Sequence, residues 1–290
     1  MADVFFYDFG FPKLSVIGAG IASSFSFIVT AVILFALAYQ HVRKTGALEA
    51  LVGGKAWWYF SPIEAKRLLY FGTPAGAQMA AESMSFSVIM LSVGSLGEYA
   101  MAATTLALGV NILAFVPMNG LGMALGVLVG QCLTAGKVKA AERGVRSAII
   151  IAMIYTSFFV LAYGVFTDWT LSLYAFQMPP ERFETIRPIL RLLLRFIAAY
   201  CLFDAIQIVF VGAIKGAGDT FFVLIGSAII GLSVVGLGFA GTFVFESSVY
   251  YWWAVISIWV LVMAIVFSSR FATGKWKTMR VIEADLTIAD

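Results

Sequence analysis

The sequence predicts an all-α membrane protein that crosses the bilayer about seven times. Hydrophobic residues make up 61% of its 290 residues and charged residues only 12%, whereas about a quarter of the residues in a typical soluble domain are charged. The apolar residues also form continuous runs of about 20, the length that a helix needs to cross the hydrocarbon core. These runs do not alternate with polar residues over about ten positions, as the strands of a membrane β-barrel do.

Seven apolar runs are predicted to form the crossings. In chain order they lie near residues 14–40, 68–93, 100–132, 144–167, 188–214, 221–245 and 249–267. The run Ser61-Pro62-Ile63-Glu64 precedes the second crossing and has the pattern of a capping box with proline at the first helical position. It predicts a helix start at Pro62. Trp169, Tyr250, Tyr251, Trp252 and Trp253 lie near the ends of crossings, which predicts an aromatic belt at the membrane interface.

Lysine and arginine are distributed unevenly between the two predicted sides of the membrane. With a cytoplasmic carboxy terminus, 14 of the 19 lysines and arginines fall on the cytoplasmic side, as the positive-inside rule requires. The remaining five are Lys13, Arg182, Arg187, Arg191 and Arg195. Met1 then lies on the outer side of the membrane, although the sequence has no signal peptide that would export it. This suggests that part of the protein lies upstream.

Arg187, Arg191 and Arg195 form one stripe along a helix. The stripe is predicted to reach the outer membrane interface and to pair with Glu181 or Glu184.

Two carboxylates lie well inside predicted crossings. Glu82 follows Leu68 by about 21 Å of helix rise, and Asp204 follows Tyr200 by one turn. A carboxylate in hydrocarbon costs a few kcal/mol, so it faces a partner, a cavity or an ion path. Carboxylate, phenol and amide oxygens suit a hard monovalent cation or a proton, and the sequence does not choose between them. The predicted supporting residues are Gln78, Ser85 and Gln207.

Three glycines predict a place where two helices approach closely. Gly122, Gly126 and Gly130 form a small-xxx-small ridge within the third crossing, a pattern that lets another backbone come near.

Enzyme chemistry has little support in the sequence. The sequence has no HExxH pattern, the zinc-binding motif of metalloproteases, and its single histidine offers little basis for a Ser-His-Asp triad. Gly216-Ala217-Gly218-Asp219 spells the GxGD of intramembrane aspartyl proteases, with Asp204 as its conceivable partner. The 15 residues between these aspartates correspond to about 22 Å of helix, whereas an aspartyl dyad needs about 3 Å. The chain is predicted not to be an enzyme.

Five segments resemble the multidrug and toxic compound extrusion (MATE) transporters. They occur in the order and spacing of that family's carboxy-terminal lobe, and they read GTPAGAQMAAESMSF, VGSLGEYAMAATTLAL, VPMNGLGMALGVLVGQCLTAGKVKAAER, LFDAIQIVFVGAIKGAGDT and RFATGKWK. The stretch FPKLSVIGAGIASSFSFIVTAVIL is similar to the last helix of the amino-terminal lobe. The bacterial sodium-coupled branch is the most similar.

The resemblance implies a fold, a domain plan and a function. Family members have twelve helices in two six-helix lobes, and they exchange cationic or amphipathic drugs for sodium or protons. Here it implies the last helix of an amino-terminal lobe over residues 1–40, an inter-lobe linker over 41–61, a six-helix MATE-type lobe over 62–272 and a cytoplasmic tail over 273–290. Glu82, Tyr200 and Asp204 would correspond to the cation-site residues, with sodium possible at Glu82 and Asp204.

The expected partners follow from the same reading. They are the lipid bilayer of a bacterial plasma membrane, drug-like small molecules, and either the missing amino-terminal lobe or a second copy of the chain, since five of the family's amino-terminal helices are absent. No nucleic acid is expected, and no cofactor other than the coupling ion. The open alternative is a scaffold or receptor without transport, whose carboxylates only tie helices together.

Overall fold

The computed structural model describes residues 15–45, 62–175 and 180–279, and these ranges are almost entirely helical. The helices are α1 (Ser15–Thr45), α2 (Pro62–Gly94), α3 (Glu98–Thr134), α4 (Val138–Gly164), α5 (Thr167–Ala175), α6 (Pro180–Gly216), α7 (Thr220–Gly241) and α8 (Val249–Ala272), followed by a 3-10 turn at Lys275–Thr278. The predicted all-α class is confirmed.

Six of the described helices are long and apolar enough to cross a membrane: α1, α3, α4, α6, α7 and α8. The remaining predicted crossing corresponds to α2, a helix of 33 residues that is not among these six. Its hydropathy is lowered by polar side chains along its middle turns, including Gln78 and Glu82. The short helix α5 was not predicted.

The chain divides into two compact units, Met1–Ala65 and Lys66–Asp290. Helix α1 belongs to the first unit, and its side chains are exposed between Gly20 and Gln40. Most of the predicted linker lies outside the described residues, so the bounds of the linker stay a prediction. All the residues discussed below belong to the second unit.

Helix α6 is the central helix of the second unit and packs against α3, α4 and α8. Its closest approach is to the glycine ridge of α3. A Cβ atom added at Gly126 would lie 3.1 Å from the carbonyl oxygen of Gly212, and one added at Gly130 would lie 3.1 Å from that of Gly216. The two backbones are therefore in contact over two turns.

Helix α3 continues through Pro117, and α4 compensates for the hydrogen bond that this proline removes. Proline has no N–H, so the Leu113 carbonyl one turn earlier lacks its helical donor. The Tyr155 hydroxyl of α4 donates to that carbonyl at 2.7 Å, and the Tyr163 hydroxyl donates to the Val110 carbonyl at 3.1 Å. Two tyrosines thus tie α4 to the middle of α3.

Two aromatic residues at the start of α8, Trp252 and Trp253, do not face the membrane interface as predicted. Trp252 and Trp253 are 1% and 0% exposed, and Trp253 donates its indole N–H to the Thr104 hydroxyl of α3 at 3.1 Å. Their large apolar surface fills the interior of the bundle instead. Trp169 is exposed, as a belt residue should be.

The end of the bundle where α7 begins is held by an ion pair and a folded-back turn. The Arg270 Nε and Nη2 atoms donate to one Asp219 oxygen at 2.8 and 2.6 Å, and the guanidinium lies 4.4 Å from the Phe222 ring centroid. Beyond α8, Trp276 is 3% exposed and stacks on Phe271 with ring centroids 4.7 Å apart. The first residues of the predicted tail therefore pack on the helices.

At the opposite end, the arginine stripe has an additional partner on α5. Arg187 pairs with Glu184 at 3.4 Å, in agreement with the prediction. Arg187 also approaches Asp168 at 3.8 Å, and Arg191 pairs with the same carboxylate. Asp168 lies in the first turn of α5, so these pairs attach the short helix to α6.

Candidate functional site

The carboxylate of Glu82 is held by hydrogen bonds from two helices. Gln78, one turn earlier on α2, donates its Nε2 to Glu82 Oε1 at 2.7 Å. Ser227 of α7 donates its hydroxyl to the same oxygen, also at 2.7 Å. Gln78 is only 3% exposed and Ser227 only 1%. Both donors therefore bind one carboxylate oxygen inside the unit.

Asp204 and Tyr200 lie one turn apart on α6. Tyr200 is buried and Asp204 is partly buried. The Asp204 carboxylate is within electrostatic range of Glu82 and of Tyr200, so the three predicted cation-site residues lie in one region of the second unit. Lys215, close to the end of α6, also interacts electrostatically with Glu82.

The three predicted supporting residues occupy different positions. Gln78 bonds directly to Glu82. Ser85 is buried one turn beyond Glu82, and its hydroxyl faces α7 where a Cβ at Gly231 would lie 2.6 Å away. Gln207 is partly buried on α6, three residues after Asp204. Ser85 is thus part of the contact between α2 and α7, and Gln78 is the supporting residue that touches a carboxylate.

One buried acceptor beside Glu82 has no partner. Because a carboxylate only accepts hydrogen bonds, it fixes the amide of Gln78 with Nε2 toward Glu82. The Oε1 atom of Gln78 then has no hydrogen-bond partner among the described residues. A buried polar atom left unsatisfied costs about 1–3 kcal/mol, and an amide oxygen next to a carboxylate is a suitable ligand for a hard cation.

The described residues contain no group of three or more His, Cys, Asp or Glu side chains placed to hold a metal ion. A cation near Glu82 and Asp204 would therefore draw its remaining ligands from amide, hydroxyl or carbonyl oxygens. This donor set suits a hard monovalent cation better than zinc or another transition metal.

The geometry removes the aspartyl protease as an alternative. Asp204 lies in the interior of α6, and Asp219 lies beyond its end, where it is paired with Arg270. Two aspartates so placed do not share a proton as an aspartyl dyad does.

Ser227 is the residue of this site that sequence reasoning missed. Its only signal is a hydroxyl within the apolar run of α7. Such serines are common in membrane helices, and the sequence does not say which helices pack together. The contact between α2 and α7 supplies that information.

A model of the MatE family matches residues 74–241, which include Gln78, Glu82, Tyr200, Asp204 and Ser227. Among curated proteins, the chain is 26% identical over 214 residues to a multidrug resistance protein NorM of Photobacterium profundum, covering 73% of this chain and 44% of the relative. It is 25% identical over 283 residues to a probable multidrug resistance protein NorM of Pseudomonas syringae pv. tomato, covering 95% of this chain and 58% of the relative.

The fold is similar to that of a solved structure of a MATE in its bent conformation. The TM-score is 0.69 at 21% identity, over 94% of this chain and 58% of that one. The chain spans about half the length of the curated relatives it matches. The match to the family over more than half of the sequence, together with the all-helical membrane fold, shows that this chain is a member of the MatE (MATE) family of membrane transporters.

Proposed function

We propose that this chain is part of a secondary active multidrug efflux antiporter, and that it contributes the site for the coupling ion. Glu82 and Asp204 bind sodium or a proton, Tyr200 assists, and Gln78 supplies a further oxygen. No other cofactor takes part. The exported substrates are cationic or amphipathic small molecules, in keeping with the names of the multidrug resistance relatives.

The observation that carries this proposal is the environment of the Glu82 carboxylate. It lies in a helix within an apolar bundle, is held by two neutral donors on one oxygen, and interacts electrostatically with a second carboxylate, Asp204. Two like charges in a poorly solvated region repel each other, and a bound cation or proton relieves that repulsion. Gln78 Oε1 adds an acceptor without a partner.

Alternating access requires two lobes that rock about a site near the membrane midplane. We assign residues 62–272 to one such lobe and place drug binding where a second lobe completes the cavity. That lobe is an amino-terminal lobe on a longer or separate chain, or a second copy of this chain. The proposed setting is a bacterial plasma membrane with the carboxy terminus in the cytoplasm, on the basis of the lysine and arginine distribution.

The test is efflux of a fluorescent cation from cells or vesicles, with and without a sodium or proton gradient. We expect Glu82→Gln and Asp204→Asn each to lower gradient-driven efflux at least tenfold, because each removes one of the two charges that bind the ion. Ser233→Ala, which changes an exposed serine of α7, is the control and should keep the activity of the starting protein. Undiminished efflux by both carboxylate variants would refute the assignment.

A scaffold or receptor without transport is the second candidate, and the Ser227–Glu82 bond favours it because this bond ties two helices together. The two candidates differ in their response to ions. A scaffold whose carboxylates only join helices gains no stability from sodium, whereas a sodium site is stabilised by mass action as the sodium concentration rises.

A further inference from the structure

We propose that Ser227 is a positioning residue for the ion site. Its hydroxyl commits one oxygen of the Glu82 carboxylate to α7 and leaves the other oxygen facing the ion. This inference rests on the function proposed above, since it concerns how Glu82 is oriented for a cation.

The first argument is the pattern of donors around Glu82. The side chains of Gln78 and Ser227 both donate to Oε1, each at 2.7 Å. Glu82 Oε2 receives no hydrogen bond from the described residues. A carboxylate has room for about four hydrogen bonds, so placing both donors on one oxygen fixes the plane of the group and keeps the second oxygen available.

The second argument is that Ser227 cannot turn its hydroxyl to water. The residue is 1% exposed, and buried hydroxyl groups keep a hydrogen-bond partner where one is within reach. A serine in a helix can also donate its hydroxyl to the backbone carbonyl of the residue one turn earlier in the same helix. The Ser227 hydroxyl instead donates to Glu82 on another helix, 145 residues away in sequence. A charged acceptor makes this bond stronger than a neutral one.

The third argument is the position of the bond among three side-chain contacts between α2 and α7, together called the α2–α7 seam below. On one side of the bond, Tyr70 and Phe221 have ring centroids 5.5 Å apart. On the other side, Ser85 faces Gly231. Residue numbers increase together along both helices, so the helices run parallel and the Ser227 bond lies between two packing contacts. The Ser227 bond therefore links the orientation of the carboxylate to the packing of α7 on α2.

The experiment is a sodium titration of the purified full chain, with thermal unfolding as the readout. It compares the starting protein with Ser227→Ala, Ser227→Thr, Ser233→Ala and Glu82→Gln. We expect Ser227→Ala to raise the sodium concentration at half-maximal stabilisation about tenfold, the usual value of a hydrogen bond to a charged group. Ser227→Thr keeps the hydroxyl and should stay within about twofold of the starting value, as should Ser233→Ala.

A purely structural Ser227 gives a different result. Ser227→Ala would then lower the unfolding temperature without sodium and leave the half-maximal concentration unchanged, which overturns the inference. A threonine variant that binds sodium as weakly as the alanine variant also overturns it. If Glu82→Gln loses the sodium response while Ser227→Ala keeps that of the starting protein, the ion site stands and only the positioning role fails. A starting protein that sodium does not stabilise overturns the positioning role in sodium binding, whereas the proposed function fails only if protons do not stabilise the chain either.

Discussion

Two pairs of helices in the second unit are joined in different ways. Helices α3 and α6 meet backbone to backbone through facing glycines, which have no side chain that could rotate. Helices α2 and α7 meet through side chains, with Glu82, Gln78 and Ser227 in the middle. The first contact has no room to adjust, whereas the second consists of groups that can rotate. We infer that the bundle concentrates rigidity in the α3–α6 contact and chemistry in the α2–α7 seam.

Gly216→Ala should have the largest effect on stability. A Cβ at this position overlaps the backbone of Gly126, and a backbone cannot rotate away as a side chain can. Overpacking of this kind costs about 1–3 kcal/mol, more than the gain in helix propensity from glycine to alanine. The measurement is the unfolding temperature of the purified chain, which should fall by several degrees.

The matched control is Gly236→Ala, because nothing lies within 4 Å of a Cβ added there. It should leave the unfolding temperature unchanged or raise it slightly. Equal effects at the two glycines would contradict the account of a rigid α3–α6 contact.

Tyr155→Phe should destabilise the chain by about 1 kcal/mol. It removes the donor to the Leu113 carbonyl, which Pro117 has deprived of its helical partner, and a carbonyl left without a donor in a membrane-crossing helix carries a penalty of at least this order. Unfolding of the variant measures the effect, and the double variant Tyr155→Phe/Pro117→Ala tests the cause. Alanine restores a helical N–H for the carbonyl, so the tyrosine should matter less there. An unchanged effect of Tyr155→Phe in that background would speak against this explanation.

Gly231→Ala tests the opposite property of the α2–α7 seam, and its effect should be below about 1 kcal/mol. The added Cβ would meet the Ser85 hydroxyl at 2.6 Å, but a serine can change rotamer at small cost. The higher helix propensity of alanine offsets part of this cost. The unfolding temperature should fall much less than it does in Gly216→Ala, and adding Ser85→Ala should abolish the decrease. A loss as large as that of Gly216→Ala would mean that the seam is as rigid as the α3–α6 contact.

Lys215→Met should have the smallest effect, on ion affinity alone. Lys215 interacts electrostatically with Glu82, and a positive charge near the site opposes the arrival of a second one. Removing it should lower the sodium concentration at half-maximal stabilisation by about two- to fivefold, as expected for a screened interaction between partly buried charges. Lys137→Met, at an exposed position before α4, is the control. A weaker response to sodium in Lys215→Met would contradict the expected sign.

The difference between the two contacts also explains what the sequence could predict. The four-residue spacing of Gly122, Gly126 and Gly130 is local, so it indicated a close helix approach before the partner helix was known. Glu82 and Asp204 stood out because charges within apolar runs are costly. Ser227 did not, since its importance depends on which helix lies opposite it.

The same limit accounts for the aromatic residues that were misplaced or missed. Trp252 and Trp253 have the position of interfacial tryptophans in the sequence, and only the packing of α8 in the bundle shows that they are buried. Trp276 lies in a basic stretch whose composition is typical of a solvated tail. Its partner Phe271 is five residues away, but their stacking depends on the turn at Gly274, whose φ is 72°, a conformation that glycine adopts easily.

The central proposal is that Glu82 and Asp204 together bind the coupling ion. It is tested most directly by thermal unfolding of the starting protein and of the double variant Glu82→Gln/Asp204→Asn, with sodium titrated at fixed pH and pH titrated at fixed sodium. We predict that at least one titration stabilises the starting protein and that this response is absent from a double variant that still folds. A double variant that responds to both titrations as the starting protein does would contradict the proposal.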